Sequence, residues 1–207
     1  MKTSFFGMIV ASFVAFLSAC IVMVALVCSC FGLPMKKASP CVIYLVVNQA
    51  ANVEAVQASL LLHGGAGCLL PTGEVAIAAY FSEGDAMSVL SRLKAEYPSV
   101  GASIYAFPEE RNCVALYQSL RCVAELIERL QCGMSQMAAK SVLKDLSSWF
   151  LYFAKTMQGD QRETIVCLGK ELKSLSDGVV LVGELRSLLC ETIVCCAQEE
   201  KKLFLSE

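Results

Sequence analysis

Twelve cysteines and a single histidine are the residues of this 207-residue chain best suited to metal ligation or nucleophilic chemistry. Their spacing arranges them for neither. Cys20, Cys28 and Cys30 fall within an uncharged run. Cys41, Cys68, Cys113, Cys122, Cys132, Cys167, Cys190, Cys195 and Cys196 lie outside it, an odd number with no Cys-x-x-Cys pair of the kind that holds zinc or exchanges disulfides. Scattered among Leu and Val, most of them read as small buried hydrophobes. If the domain lies outside the cytoplasm, so many free thiols suit a reducing or anaerobic habitat better than an oxidising one. His63 precedes Gly64 and Gly65 at the end of an expected helix, where an imidazole commonly complements the helix terminus. There is no Gly-x-Ser-x-Gly, no His-Glu-x-x-His and no Walker loop, so no nucleophile, base and orienting group can be nominated together. The expectation is a non-enzymatic protein with no catalytic residue, no metal and no cofactor.

The elements that carry any site begin at a membrane. The chain is 56% hydrophobic and 17% charged, too apolar for disorder and too sparsely charged for an ordinary soluble protein. Residues 5–33 carry no charge and are long enough to cross the hydrocarbon core, which takes roughly 20 residues. Pro34 ends the run, and Lys36 and Lys37 follow where headgroups would lie. A competing reading is a lipoprotein signal, with Leu17, Ser18, Ala19 and Cys20 as a lipobox, but the residues after Cys20 stay apolar instead of turning polar. Lys2 with the amino terminus nearly matches Lys36 and Lys37, so the positive-inside rule ties. Gly7, Ala11, Ala15 and Ala19 form a small-residue row on which a homodimer could pack, although such residues are frequent in membrane helices anyway. With Lys2, Lys36 and Lys37 set aside, residues 38–207 hold 14 of the 17 Lys and Arg against all 19 Asp and Glu, without a basic cluster, which excludes a nucleic-acid footprint.

Residues 38–110 change period in a regular order. Residues 42–47 are a β-branched run of strand length, and Asn52 can cap a helix whose stripe is Val53, Val56, Leu60 and His63. Gly64, Gly65 and Gly67 stop it. A short apolar run at 68–70, a turn at 71–73 and a strand at 75–81 make a hairpin. Ser82 precedes a second helix with Met87, Leu90, Leu93 and Tyr97 on its stripe; Pro98 ends it, and residues 100–107 supply a fourth strand. Two βαβ halves joined through a hairpin give an antiparallel sheet with both helices on one face, a ferredoxin-like βαββαβ sandwich in an α+β chain.

This stretch resembles a SPOR (sporulation-related repeat) domain, a module of bacterial envelope proteins. Tyr44 and Val46 match the aromatic and the Val of the family's first strand, and Val75, Ile77, Tyr80 and Ala86 fit its second half. An N-terminal transmembrane helix before the module is similar to the family's layout. The family Gln falls on Val47 and the family glycines on Gln49 and Ala78, which are departures. The resemblance implies a cell-membrane protein with its soluble part outside the cytoplasm, binding peptidoglycan glycan strands in cell division or sporulation through the sheet face that its helices leave free. If Val46 and Ile77 point to the helices, strict alternation puts Leu45, Val47, Ala76, Ala78 and Tyr80 on that free face. Sugars need hydrogen-bonding groups around an aromatic platform, and the candidates are Tyr80, Asn48 or Gln49 at the strand end, and Ser103 or Tyr105 on strand four. A sheet apolar on both faces expects cover on both, so a protein partner can stand there in place of glycan.

Residues 111–207 read as helical. Leu116, Leu120, Val123, Ile127 and Leu130 mark one helix up to Gly133; others run from about Ser135 to Met157, Arg162 to Leu175 and Val180 to Phe204. Short connections imply an antiparallel bundle or two helical hairpins. The aromatic residues from Trp149 to Phe153 read as bundle core, and Glu199, Glu200, Lys201 and Lys202 as a solvated helix end. Three functions remain open: the anchored glycan-binding or derived protein-binding module, an anchored protein-interaction scaffold that binds no glycan, and a cytoplasm-facing ferredoxin-like module regulated by a small molecule.

Overall fold

The structure is a computed structural model that describes residues 41–49 and 52–203, the last three as backbone. The candidate membrane span at residues 5–33 and its row of Gly7, Ala11, Ala15 and Ala19 lie outside the described residues. Among those described, no helix is long and apolar enough to cross a membrane.

The chain is α+β around a five-stranded antiparallel sheet. Strand β1 (Cys41–Asn48), helix α1 (Val53–Leu62), β2 (Cys68–Leu69), β3 (Val75–Tyr80), α2 (Glu83–Leu93) and β4 (Val100–Phe107) follow in the order the period changes imply. The strands lie side by side as β2-β3-β1-β4, and β5 (Gln198–Leu203) closes the far edge beside β4. Local chemistry sets the punctuation. The Asn52 side chain accepts from Ala55 N at 3.2 Å and starts α1. Gly64 ends it at φ 76°, a left-handed conformation that costs a glycine nothing.

After β4 come α3 (Arg111–Gln131), α4 (Gln136–Phe153), a 3₁₀ turn at Ala154–Thr156, α5 (Gly159–Asp177) and α6 (Val182–Cys196). Helices α4 and α5 form a tight hairpin: the buried Ser147 hydroxyl donates to Gly169 O at 2.6 Å, and a Cβ at Gly169 would meet Leu151 at 2.9 Å. Of the aromatic run, Phe150 and Phe153 are buried, Trp149 stacks on Phe153 at 4.7 Å, and Tyr152 is exposed. The last helix ends earlier than its composition suggests. Gln198, Glu199, Glu200, Lys201 and Lys202 are strand, paired with β4 from Ala106↔Gln198 to Ala102↔Leu203, and not a solvated helix end. Pairing to an open sheet edge has overridden the helix preference of Glu and Lys, and charge is what an exposed edge strand needs against further pairing.

The described residues belong to one compact unit, in which the sheet is covered twice. Val46, Val75, Ile77 and Val100 face α1 and α2, packing with Leu60, Ala86 and Leu90. Ile43, Leu45, Val47, Ala76, Tyr105 and Phe107 face the other way, into a larger core with Leu116 and Leu120 of α3 and Leu185 and Leu189 of α6. The sheet module and the helical region therefore share a core, and α4 and α5 stack on α3 and α6.

Candidate functional site

The sheet surface expected to be free is occupied by the chain's own α3 and α6. At the level of single residues, the polar candidates do not gather on an open face. Asn48 is 3% exposed at the end of β1, opposite Val75 and Val100. Gln49, just beyond, is exposed, and its amide donates to the buried carboxylate of Glu74 at 2.8 Å while Thr72 donates to the other oxygen at 2.9 Å. Ser103 is 1% exposed, on the face toward the C-terminal helices, and its hydroxyl has no hydrogen-bond partner among the described residues. Tyr105 is buried on the same face, where burial first, then Glu199 and Glu74, pushes its phenol up to about 12.

Tyr80 leaves the expected face altogether. The register against β1 runs Tyr44↔Tyr80, Leu45↔Ala79, Val46↔Ala78 and then Val47↔Ala76, so β3 carries an extra residue at Ile77. A bulge of this kind resets the alternation. Val46 and Ile77 do point to α1 and α2, and Leu45, Val47 and Ala76 do point away, but beyond the bulge Tyr80 packs on the α1–α2 side with Tyr44, and Ala79 turns to the other core. No glycine or proline marks the spot, so strict alternation misses it. Asn48 and Tyr80 end up about 14 Å apart along β1, four residues at about 3.4 Å each.

What the bulged end of β3 does line is a cleft of about 570 Å³. Residues 78–82 run along it. Helix α2 contributes Asp85 and Arg92, α3 contributes Arg121, Glu125, Glu128 and Gln131, and α6 contributes Arg186 and Leu189. Arg121 is paired with Glu125 at 3.4 Å. Arg186 bridges Gly64 O and Gln131 Oε1, the latter at 3.0 Å, and Arg92 folds back onto Ser88 O at 3.2 Å. Among the described residues no carboxylate is within ion-pair distance of either guanidinium. Burial raises the Tyr80 phenol above its ordinary value, against the pull of Arg186 and Arg92. The sequence reading missed both arginines, as well as Glu74. The only signal was a lone Arg186 interrupting an otherwise apolar helix face.

His63 caps α1 and its ring Nδ1 lies 2.7 Å from Ser59 O, an arrangement internal to the helix end. The nine described cysteines are free thiols. Among the described residues no group of three or more His, Cys, Asp or Glu side chains is placed to hold a metal ion. Set against known proteins, the chain matches no protein-family model, no curated protein and no solved structure.

Proposed function

We propose that this chain is a single-pass, membrane-anchored, non-enzymatic protein-interaction module: an apolar anchor at residues 5–33, a ferredoxin-like unit, and a helical layer that has taken over the sheet face where the SPOR resemblance would have glycan bind. The observation that carries this reading is the burial of Asn48, Ser103 and Tyr105 beneath or beside the chain's own helices. A sugar cannot reach hydrogen-bonding groups that are already inside a core. The anchor rests on the length and apolarity of residues 5–33.

Two measurements on the full chain test it. Alkaline carbonate should leave the protein in the membrane fraction, and amidase-treated cell wall should retain it no more than a control protein. Release by carbonate removes the anchor; retention by the wall restores the glycan reading. Orientation is a separate matter. The SPOR resemblance implies a soluble part outside the cytoplasm, whereas the small-molecule regulatory reading needs it inside. A topology reporter fused after Glu207 decides between them.

A further inference from the structure

Loops at a protein surface are normally polar, but the connection between α5 and α6 is not: residues 178–183 read Gly-Val-Val-Leu-Val-Gly. The loop is held from both sides. The Gln136 side chain of α4 donates to Val180 O at 3.0 Å and accepts from Val180 N at 3.0 Å, which satisfies both main-chain groups of that buried residue. A Cβ at Gly183 would meet Gly65 O at 3.2 Å and Leu61 Cδ2 at 3.9 Å, so the far end of the loop lies against the end of α1. Val179 and Leu181, on either side of Val180, are exposed. Leu61 and Leu62 of α1 and Met137 of α4, at the two points of attachment, are exposed as well. Of the seven large hydrophobic side chains exposed among the described residues, five therefore adjoin one loop, Leu62 at 85% and Met137 at 84% being the most open. A patch of this make-up marks a binding surface.

We propose that this patch is a membrane-docking surface, which sinks the loop and its apolar neighbours into the headgroup boundary of the bilayer that holds the chain's own anchor. The inference rests on the anchored reading above and adds a second, shallower contact with lipid. Three observations favour lipid over a protein partner. The patch is made of Leu, Val and Met, without the Trp, Tyr and Arg that dominate protein–protein hot spots. Val180 carries no unpaired main-chain group toward the lipid, where one would be costly, because Gln136 answers both. The third is reach. Only residues 34–40 separate the apolar run from β1, a contour of at most about 25 Å at about 3.5 Å per residue. Helix α1 leaves the Asn48 end of β1 and returns, so that Ala66, bonded to Ile77 O, lies level with Val46 and Val47. Five residues along β1 and two strand spacings put Ala66 about 20 Å from Cys41, inside that reach. Asp177 and Glu184 bound the loop, so insertion depends on apolar contact and not on attraction to anionic lipid.

The test uses the full chain reconstituted in phosphatidylcholine vesicles whose acyl chains carry bromine near the headgroup, which quenches tryptophan on contact. Leu181→Trp and Leu62→Trp each add one reporter at an exposed position, read against Trp149 of the unaltered chain. Tyr152→Trp is the control, exposed and about 22 Å along α4 from Met137 at 1.5 Å per residue. Brominated lipid should quench both reporters about twofold or more, as suits side chains sunk roughly 5–10 Å into the interface, and leave Tyr152→Trp unchanged. Val179→Asp should relieve the quenching of Leu62→Trp, and added phosphatidylglycerol should not strengthen it. Unquenched reporters in a chain that floats with the vesicles overturn the docking surface and leave the anchor standing. A chain that does not float with them removes the anchor and the docking surface together, a failure that flotation records before any fluorescence is read. Equal quenching of Tyr152→Trp overturns an oriented surface. Quenching that requires phosphatidylglycerol overturns apolar insertion. Blue-shifted emission without quenching, growing as the vesicles are loaded with more protein, assigns the patch to a second copy of the chain and overturns lipid as the occupant.

Discussion

Cys68 on β2 and Cys190 on α6 meet in the same buried core, where each thiol acts on the titration of the other: loss of the first proton from the pair is eased and loss of the second opposed. The neighbouring Cys190 thiol draws the Cys68 thiol below its ordinary value, while the same interaction together with complete burial holds Cys190 well above it.

Alkaline pH is therefore expected to weaken the fold. A group whose pKa is raised on folding keeps its proton more tightly folded than unfolded, so its stabilising effect is complete below the unfolded value and fades as pH climbs toward the folded one. For Cys196, pushed by burial from 9.0 to about 12, that window opens near pH 9; for Tyr105, raised from 10.0 to about 12, near pH 10. Cys190 adds in the same direction. Cys68, with its lowered value, has the opposite sign: its contribution is present above 9.0 and is lost as pH falls through the folded value. Thermal melts at pH 8, 9, 10 and 11 should show a Tm that declines above pH 9, with a shallower decline in Cys196→Ser. A Tm that is level to pH 11 contradicts the burial of these groups.

Ser103→Ala should raise stability. The hydroxyl is 1% exposed and has no partner among the described residues, and a buried polar group left unsatisfied costs about 1–3 kcal/mol. Urea melts of the variant should show a higher midpoint with an unchanged slope. A glycan site would give a different result, namely no change in midpoint and weaker wall binding.

Gly169→Ala tests the α4–α5 contact. Its Cβ would fall 2.9 Å from Leu151 Cγ and 3.3 Å from Leu151 N, so the helices must separate or Leu151 must move. Overpacking of this kind costs about 1–3 kcal/mol, set against about 1 kcal/mol gained from helix propensity. A net loss of about 1 kcal/mol in a denaturant melt is expected, with partial recovery when Leu151→Ala is combined with it. A stabilised single variant would show that the hairpin has room.

Ending the chain at Ala197 removes β5 and bares the outer edge of β4. The expected result is a Tm lower by at least about 4 °C, the scale of 1–2 kcal/mol in a unit of this size, together with light scattering on standing as exposed edges pair. An unchanged Tm and a clear solution would mean that β5 contributes little.

Much of the architecture was legible because its signals are local. The glycines at 64 and 67, the turn at 71–73 and Pro98 punctuate the βαββαβ path where they should, and the Leu116, Leu120, Val123 and Ile127 stripe marks α3. The errors have a common cause in contacts remote along the chain. Nothing near Ile77 announces the extra residue that turns Tyr80 to the helices. Gln198, Glu199 and Glu200 have a helical composition and become strand only because β4 offers an edge. Which helices roof the second face is decided by residues 116–127 and 185–193 meeting Ile43, Leu45 and Tyr105, a pairing that periodicity cannot express. The candidate site was misjudged for the same reason: Asn48, Ser103 and Tyr105 were placed on the right strands, but what lies over them comes from residues far away in sequence.

The fifth strand has a further consequence for biogenesis. Four helices are synthesised between β4 and the segment that completes its ladder, so a nascent chain carries a ready template for mispairing throughout that interval. A cell making this protein has either to fold the helical layer over the sheet quickly or to shield the waiting edge, and ribosome stalling before residue 198 should be more damaging than its distance from the cleft would suggest.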